Sequence, residues 1–277
     1  MHRLLTIFTL FVMGSSCFAS PPGGPPKLPR ANAEAEGKLK EAYACYVQGW
    51  YERAIALASE VYEKYGDVQA KWFPGWVQRV VKKRIPNPYE KGEVLKETLE
   101  GPFLFTMAIK SVFPSYLLAR SYAAMGDKEK ALLWKKRVIE LGFSPDFPLG
   151  PSPSLPRKGI RPQIWKPLPL KFREEDYFIL VPLDEACKVL GIPFQYKVNP
   201  KTGKRTGAKI GEKGLLSLMG RPFARNIRGE VDDMAYAPYE ENGVAWVPFY
   251  WLAKQAGIRW WEVRDGKIYV APRQGTK

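Results

Sequence analysis

A stretch of twelve residues recurs in the second half of the chain with the same Val-Pro opening, the same Lys and the same Gly-Ile close. Val181-Pro182-Leu183-Asp184-Glu185-Ala186-Cys187-Lys188-Val189-Leu190-Gly191-Ile192 returns as Val247-Pro248-Phe249-Tyr250-Trp251-Leu252-Ala253-Lys254-Gln255-Ala256-Gly257-Ile258. A chain that writes one unit twice is expected to fold it twice, so this repeat constrains the architecture most. Each copy reads as a strand end, a Pro that opens a short helix, a Gly that stops it, and a strand beyond. Proline suits the first helical turn because the N–H it lacks would find no intrahelical acceptor there. Tyr177 to Val181 is a β-type run leading into the first copy. Pro193 to Lys197 and Arg259 to Val263 are the strands that follow the two helices. Residues 199–203 make a turn after the first, and Asp265-Gly266 turns the second into Lys267 to Ala271.

With Asn242-Gly243-Val244-Ala245-Trp246 leading into its second copy, the duplicated unit resembles the N-terminal-like domain of copper amine oxidases. That domain is common in secreted and envelope-associated bacterial proteins. The resemblance covers roughly residues 176–272 and implies a small α+β domain of duplicated strand–helix–strand units. The chain departs from the family in a long lysine-rich hairpin, and in lacking the Arg often found shortly after the Val-Pro-Leu. In the oxidases, copper and the quinone belong to a separate catalytic domain that nothing here resembles, so the resemblance implies no cofactor.

The first half has a different period. Apolar and small residues recur at three- and four-residue spacing from Glu36 to Tyr65, broken at Gly49, and from Phe103 to Leu141, broken at Gly126-Asp127. A Gly between two amphipathic helices marks a helical hairpin. Val68 to Leu99 is less regular, and its prolines predict shorter helices. In the second hairpin Ala119, Tyr122, Gly126-Asp127, Glu129 and Ala131 resemble the tetratricopeptide repeat. Ala42, Gly49, Tyr51-Glu52 and Ala54 match it in the first, with Cys45 where an aromatic is usual. The small residues let paired helices approach closely. The resemblance implies antiparallel helical-hairpin repeats and a peptide-binding groove on the first helix of each hairpin, including Tyr43, Tyr46, Tyr116 and Arg120.

These patterns divide the chain into a signal peptide (1–19), a Pro/Gly tether (20–32), the helical domain (33–143), a Pro-rich linker (144–175), the α+β domain (176–272) and a tail (273–277). The fold class is therefore α followed by α+β. His2 and Arg3, the apolar run Leu4 to Met13, and Cys17-Phe18-Ala19 predict export with cleavage after Ala19. A lipoprotein anchored at Cys17 is the alternative. The run is too short for a spanning helix, which needs about 20 apolar residues, and no transmembrane segment is expected in the mature chain.

The single histidine is His2, so the mature chain has no imidazole for Ser-His or Cys-His catalysis or for histidine metal sites. Cys45 and Cys187 have apolar neighbours and read as buried thiols. Carboxylate clusters at residues 174–176, 232–233 and 240–241 could serve hydrolysis without histidine, but adjacent acids at element edges are more often solvated turns. The chain is expected to be non-catalytic, with no metal and no cofactor.

A formal charge of +15 would suggest nucleic acid in a cytoplasmic protein. In an exported one it points to anionic wall polymer or lipid headgroups, or equally to a basic surface that keeps the protein soluble. Two basic segments concentrate it. Lys71, Arg79, Lys82, Lys83 and Arg84 interleave with Trp72, Phe73 and Trp76. The second runs from Lys197 to Arg225 and contains Lys201, Lys204, Arg205 and Lys209. Trp251, Trp260 and Trp261 are candidates for carbohydrate stacking, against core packing as the plainer reading. The expected function is an exported cell-envelope adaptor that holds a protein partner in the helical groove. The alternative is a wall-polymer or carbohydrate-binding protein using the basic hairpin and the tryptophans.

Overall fold

The computed structural model describes residues 28–72, 110–143, 155–157, 161–219 and 223–271. The expected signal peptide, most of the tether, the stretch between the two hairpins, most of the Pro-rich linker and the tail lie outside the described residues. The first basic segment does too, apart from the backbone of Lys71 and Trp72. What is described is a mixed α/β chain of helices and antiparallel sheets. No described helix is long and apolar enough to cross a membrane.

Helix α1 (Ala33–Gln48) starts where the Asn32 side chain accepts from the Ala35 N–H at 2.9 Å. This satisfies one of the donors a helix start leaves open. It stops at Gly49, whose φ of 82° is the left-handed cap that a side chain would strain. Helix α2 (Tyr51–Tyr65) returns antiparallel, with Ala42, Ala54 and Ala58 buried. Lys64 and Tyr65 both bond Glu34 on α1, which holds that carboxyl down at about 2, with the Tyr65 hydroxyl as the largest cause. Strands β1 (Ala70–Trp72) and β2 (Lys110–Val112) form an antiparallel pair. Helices α3 (Pro114–Met125) and α4 (Lys128–Glu140) make the second hairpin, capped by Gly126 and by Asp127. Helix α2 packs against α3. Buried Asp67 links three elements: it accepts from the Ser115 N–H at 3.0 Å, the Ser115 hydroxyl at 2.8 Å and Arg137 Nε at 3.2 Å. It thereby caps α3 from a distant point in the chain.

The last residues of the expected tether are tied down. Gln69 N–H donates to Pro29 O at 2.8 Å, and Ala31 N–H donates to Gln69 O at 2.9 Å. Strand-type bonding to the end of the first hairpin overrides the Pro/Gly composition there.

Beyond residue 161, β3 (Lys166–Leu168) and β4 (Arg173–Glu175) are already strands of the C-terminal sheets. The Pro-rich stretch therefore supplies sheet as well as connection, because Pro is tolerated on edge strands and both strands are edges. Strand β5 (Phe178–Pro182) leads into helix α5 (Leu183–Leu190), and β12 (Val244–Pro248) leads into α6 (Phe249–Gln255). Strands β5 and β12 pair antiparallel with Val181 opposite Val247, so equivalent residues of the duplicated sequence face each other. Their sheet runs β11 (Tyr239–Glu241), β12, β5, β4. After α6, β13 (Trp261–Arg264) and β14 (Lys267–Val270) join β3. Asp265 and Gly266, both at positive φ, make the expected tight turn. After α5, β6 (Phe194–Val198) opens a five-stranded sheet with β7 (Arg205–Ile210), β8 (Gly214–Ser217), β9 (Phe223–Arg225) and β10 (Val231–Asp233).

One hydrophobic core runs through both halves. At the junction, fully buried Gln48 donates its side-chain N–H to Tyr177 O at 2.8 Å and accepts from Ile179 N–H at 3.0 Å. These are the two bonds a neighbouring strand would make. Trp50 Nε1 donates to Trp261 O at 3.0 Å, with the two rings 4.8 Å apart.

Candidate functional site

The expected helical groove is closed at the first hairpin. Tyr43, Tyr46 and Tyr116 are at most 2% exposed, so these three are core residues and not a recognition surface. The reason is the neighbourhood of α1. It packs against α2, α3 and the β1–β2 pair, and its C-terminal end docks on the second half through Gln48. Tyr116 stacks on Phe113 at 5.5 Å, and Tyr46 tilts against Tyr51 at 5.9 Å. Arg120 remains exposed and hydrogen-bonds the Tyr46 side chain.

The carbohydrate platform fails on the same ground. Trp251 and Trp261 are at most 1% exposed and cannot offer a face to a sugar. Both sit at the duplicated unit's helix or the strand after it, where the fold buries its largest side chains. Trp260 is half-buried, with the Arg157 guanidinium over its ring at 5.2 Å.

Glu175, Asp232 and Glu241 are structural partners. Glu175 accepts from the Tyr239 hydroxyl at 2.6 Å and from the Tyr236 hydroxyl, and pairs with Arg173 at 2.9 Å. Arg173 also bonds Glu241 at 2.8 Å and lies 4.0 Å above the Trp246 ring. Asp232 pairs with Lys254 at 3.1 Å. Among the described residues no group of His, Cys, Asp or Glu is placed to hold a metal ion.

Cys45 and Cys187 are free, buried thiols, and burial pushes both up to about 12. The reactive species is the thiolate. In a Cys17→Ser chain, a thiol reagent such as 5,5′-dithiobis(2-nitrobenzoate) at mildly alkaline pH should therefore modify neither cysteine while the protein is folded. Both should react on denaturation. Rapid reaction in the native state would contradict this burial.

The basic C-terminal segment forms a surface, though not the one the sequence suggested. Strand alternation and register sort the five-stranded sheet into two faces. Tyr196, Ala208, Leu216, Ala224 and Asp232 align across the strands on the covered face. On the opposite face Gln195, Lys209, Leu215, Arg225 and Val231 align in one row, and all five are exposed. A second row begins Lys197, Gly207, Ser217. Between the rows lies a groove of about 360 Å³ bordered by Lys197, Leu215, Arg225 and Val231. Gly207 keeps it open: a Cβ there would stand 2.4 Å from Leu216 O, so no other residue fits without moving the backbone.

Of the four basic residues expected here, Lys209 lies within this face. Lys201 and Lys204 are exposed at the β6–β7 turn, between residues 198 and 205. Arg205 is committed elsewhere, stacked 4.0 Å from the Tyr196 ring and bonded to Gly243 O at 3.0 Å. Lys197 and Arg225 belong to the same basic segment, and pairing register was the missing signal that unites them with Lys209. No protein-family model, curated protein or solved structure matches this chain.

Proposed function

We propose that this is an exported, non-catalytic cell-envelope protein that binds an anionic wall polymer on the open face of the β6–β10 sheet. The carrying observation is the in-register row containing Lys209 and Arg225, beside the glycine-floored groove rimmed by Lys197. Lys209 and Arg225 stand two strands apart, about 10 Å at the usual strand spacing, which suits a chain with repeated anions. Exposed Leu215 and Val231 offer apolar contact between and beside the charges. The excess of positive charge over the whole chain would draw such a polymer in from a distance.

The wider architecture of this reading is a short tetratricopeptide-like stack ahead of a domain like the copper amine oxidase N-terminal one. The α2–α3 packing supports the first part. The pairing of Val181 with Val247 supports the second.

Co-sedimentation of the purified protein with isolated peptidoglycan, at low and moderate salt, tests the proposal. Binding should weaken with salt, since exposed charges are screened beyond about 10 Å at 0.1 M. The combined change Lys197→Gln, Lys209→Gln, Arg225→Gln should lower affinity about tenfold or more without unfolding the sheet. Binding that ignores both salt and these substitutions would sink the reading.

A second reading, an adaptor for a protein partner, rests on helix α4. Leu132 and Leu133 are each 65% exposed and Ile139 is 50% exposed. Leu132 lines a groove of about 400 Å³ between α3 and α4, together with Ala119, Ala123, Ala131, Arg120 and Lys135. An acidic amphipathic helix would match that surface. Leu132→Glu separates the two readings, because it should block such a partner and leave polymer sedimentation unchanged.

A further inference from the structure

The two duplicated units differ at one turn in a way the fold does not require. The β4–β5 hairpin turns at Asp176-Tyr177, and the β11–β12 hairpin turns at Asn242-Gly243, the same positions of the two copies. All four residues hold positive φ, between 49° and 76°. Glycine takes this conformation freely, whereas a bulky side chain there is an outlier. The first copy nevertheless places a tyrosine at φ 67°. Its carbonyl accepts from Gln48, but any residue supplies a carbonyl. The side chain is 38% exposed. Among the described residues its ring has no aromatic partner and its hydroxyl has no hydrogen bond. Packing therefore does not account for the tyrosine, and backbone strain of this kind is kept where it serves a site.

Tyr177 borders a cavity of about 360 Å³ where the α1–α2 turn meets the C-terminal sheets. Small-molecule sites span about 300–1,000 Å³, so there is room for about one or two sugar rings. Glu174 and Ile179 border the cavity from the same hairpin, opposite each other in register. Half-buried Trp50 forms part of another wall. Charges around the cavity are paired, Arg53 with Glu41 and Arg161 with Glu262. A paired carboxylate keeps spare lone pairs, and a paired guanidinium keeps spare N–H groups. The Arg53 and Arg161 side chains are 63% and 67% exposed, so those groups are open to a ligand. An ion entering here would compete with pairs already made. A neutral molecule rich in hydroxyls would not, because each hydroxyl both donates and accepts. A pyranose also carries an apolar face that can lie on an aromatic ring.

We propose that this junction cavity binds a neutral saccharide, one ring stacked on Tyr177 and its hydroxyls bonded by Glu174, Arg53 and the Arg161–Glu262 pair. The cavity shares no lining residue with the groove of the β6–β10 face, so its occupancy does not depend on polymer binding there.

Ligand-observed NMR titration of the purified protein with N,N′-diacetylchitobiose and with cellobiose tests this. At least one should bind at millimolar concentration. Moderate salt should leave that affinity unchanged, because the ligand carries no charge to screen. Tyr177→Phe keeps the ring and should bind as the parent protein does. Tyr177→Gly restores the residue of the second copy and should bind about tenfold less tightly or worse, the loss of one stacking contact. Should that variant fail to fold, Tyr177→Asn decides, since asparagine also tolerates this backbone conformation but cannot stack; it should lose the same factor. Absence of binding by both sugars at millimolar concentration, binding that salt weakens, or unchanged affinity in Tyr177→Gly or Tyr177→Asn would each overturn the proposal.

Discussion

Trp261→Ala should destabilise the protein by about 3–5 kcal/mol, the range for emptying a large aromatic site in a core. Trp261 is fully buried, edge-on to Phe249 at 4.8 Å and tilted against Trp50 at the same distance. Its backbone carbonyl accepts from both Trp50 and Arg157. Removing the indole thus opens a cavity at the place where the two halves meet. Urea unfolding followed by circular dichroism would measure the loss. Trp261→Phe is the control. It keeps an aromatic ring and removes an indole N–H that has no acceptor among the described residues, so it should cost much less than alanine. Polymer binding per folded molecule should stay at the parent level in both variants. A specific loss of carbohydrate or polymer binding, with stability unchanged, would return Trp261 to the role its sequence neighbourhood suggested.

The second large effect is expected at Gln48. Gln48→Ala strips a buried carbonyl and a buried N–H of their partners at once. Each unsatisfied group costs about 1–3 kcal/mol, so a loss of roughly 2–6 kcal/mol is expected, reduced to the extent that water enters. Gln48→Glu sharpens the test. A carboxylate can still accept from the Ile179 N–H, but when ionised it cannot donate to Tyr177 O and repels it. Its folded-state pKa should be raised, since only the protonated acid can donate. Stability in this variant should therefore be regained as pH falls through that raised value, relative to the parent protein. Equal stability of all three proteins at neutral pH would show that the halves do not depend on this contact.

Gln48 also shows where a linear reading stops. In sequence it is one more polar residue near a helix end, and nothing in its spacing marks it as a surrogate strand for a segment more than a hundred residues away. Tyr43, Tyr46 and Tyr116 were misread for a related reason. Their positions on the first helices would line a groove in an open stack, but here α1 is covered on several sides. The tryptophans carry the same lesson: an aromatic can be core or platform, and only burial distinguishes them. Lys209 was visible as charge, whereas its alignment with Leu215 and Arg225 depends on hairpin register, which a list of basic residues does not contain.

Local chemistry was legible. Gly49, Gly126 and Asp127 end or begin helices because each satisfies open backbone groups or takes a φ that other residues resist. The two Val-Pro units became a strand followed by a helix because proline and glycine act on their own neighbours. The sequence alone therefore determined the order of the helices, the two strand–helix units and most of their punctuation, but it read helix where β1 and β2 lie and did not mark β8–β10 as strands. Tertiary structure alone decided which faces those elements hide, that β3 and β4 extend the sheets into the Pro-rich stretch, and that a cavity with charges of both signs opens at the junction. Punctuation depends on bonds within a few residues. Exposure, register and cavities depend on contacts between distant segments, whose free energy no local pattern records.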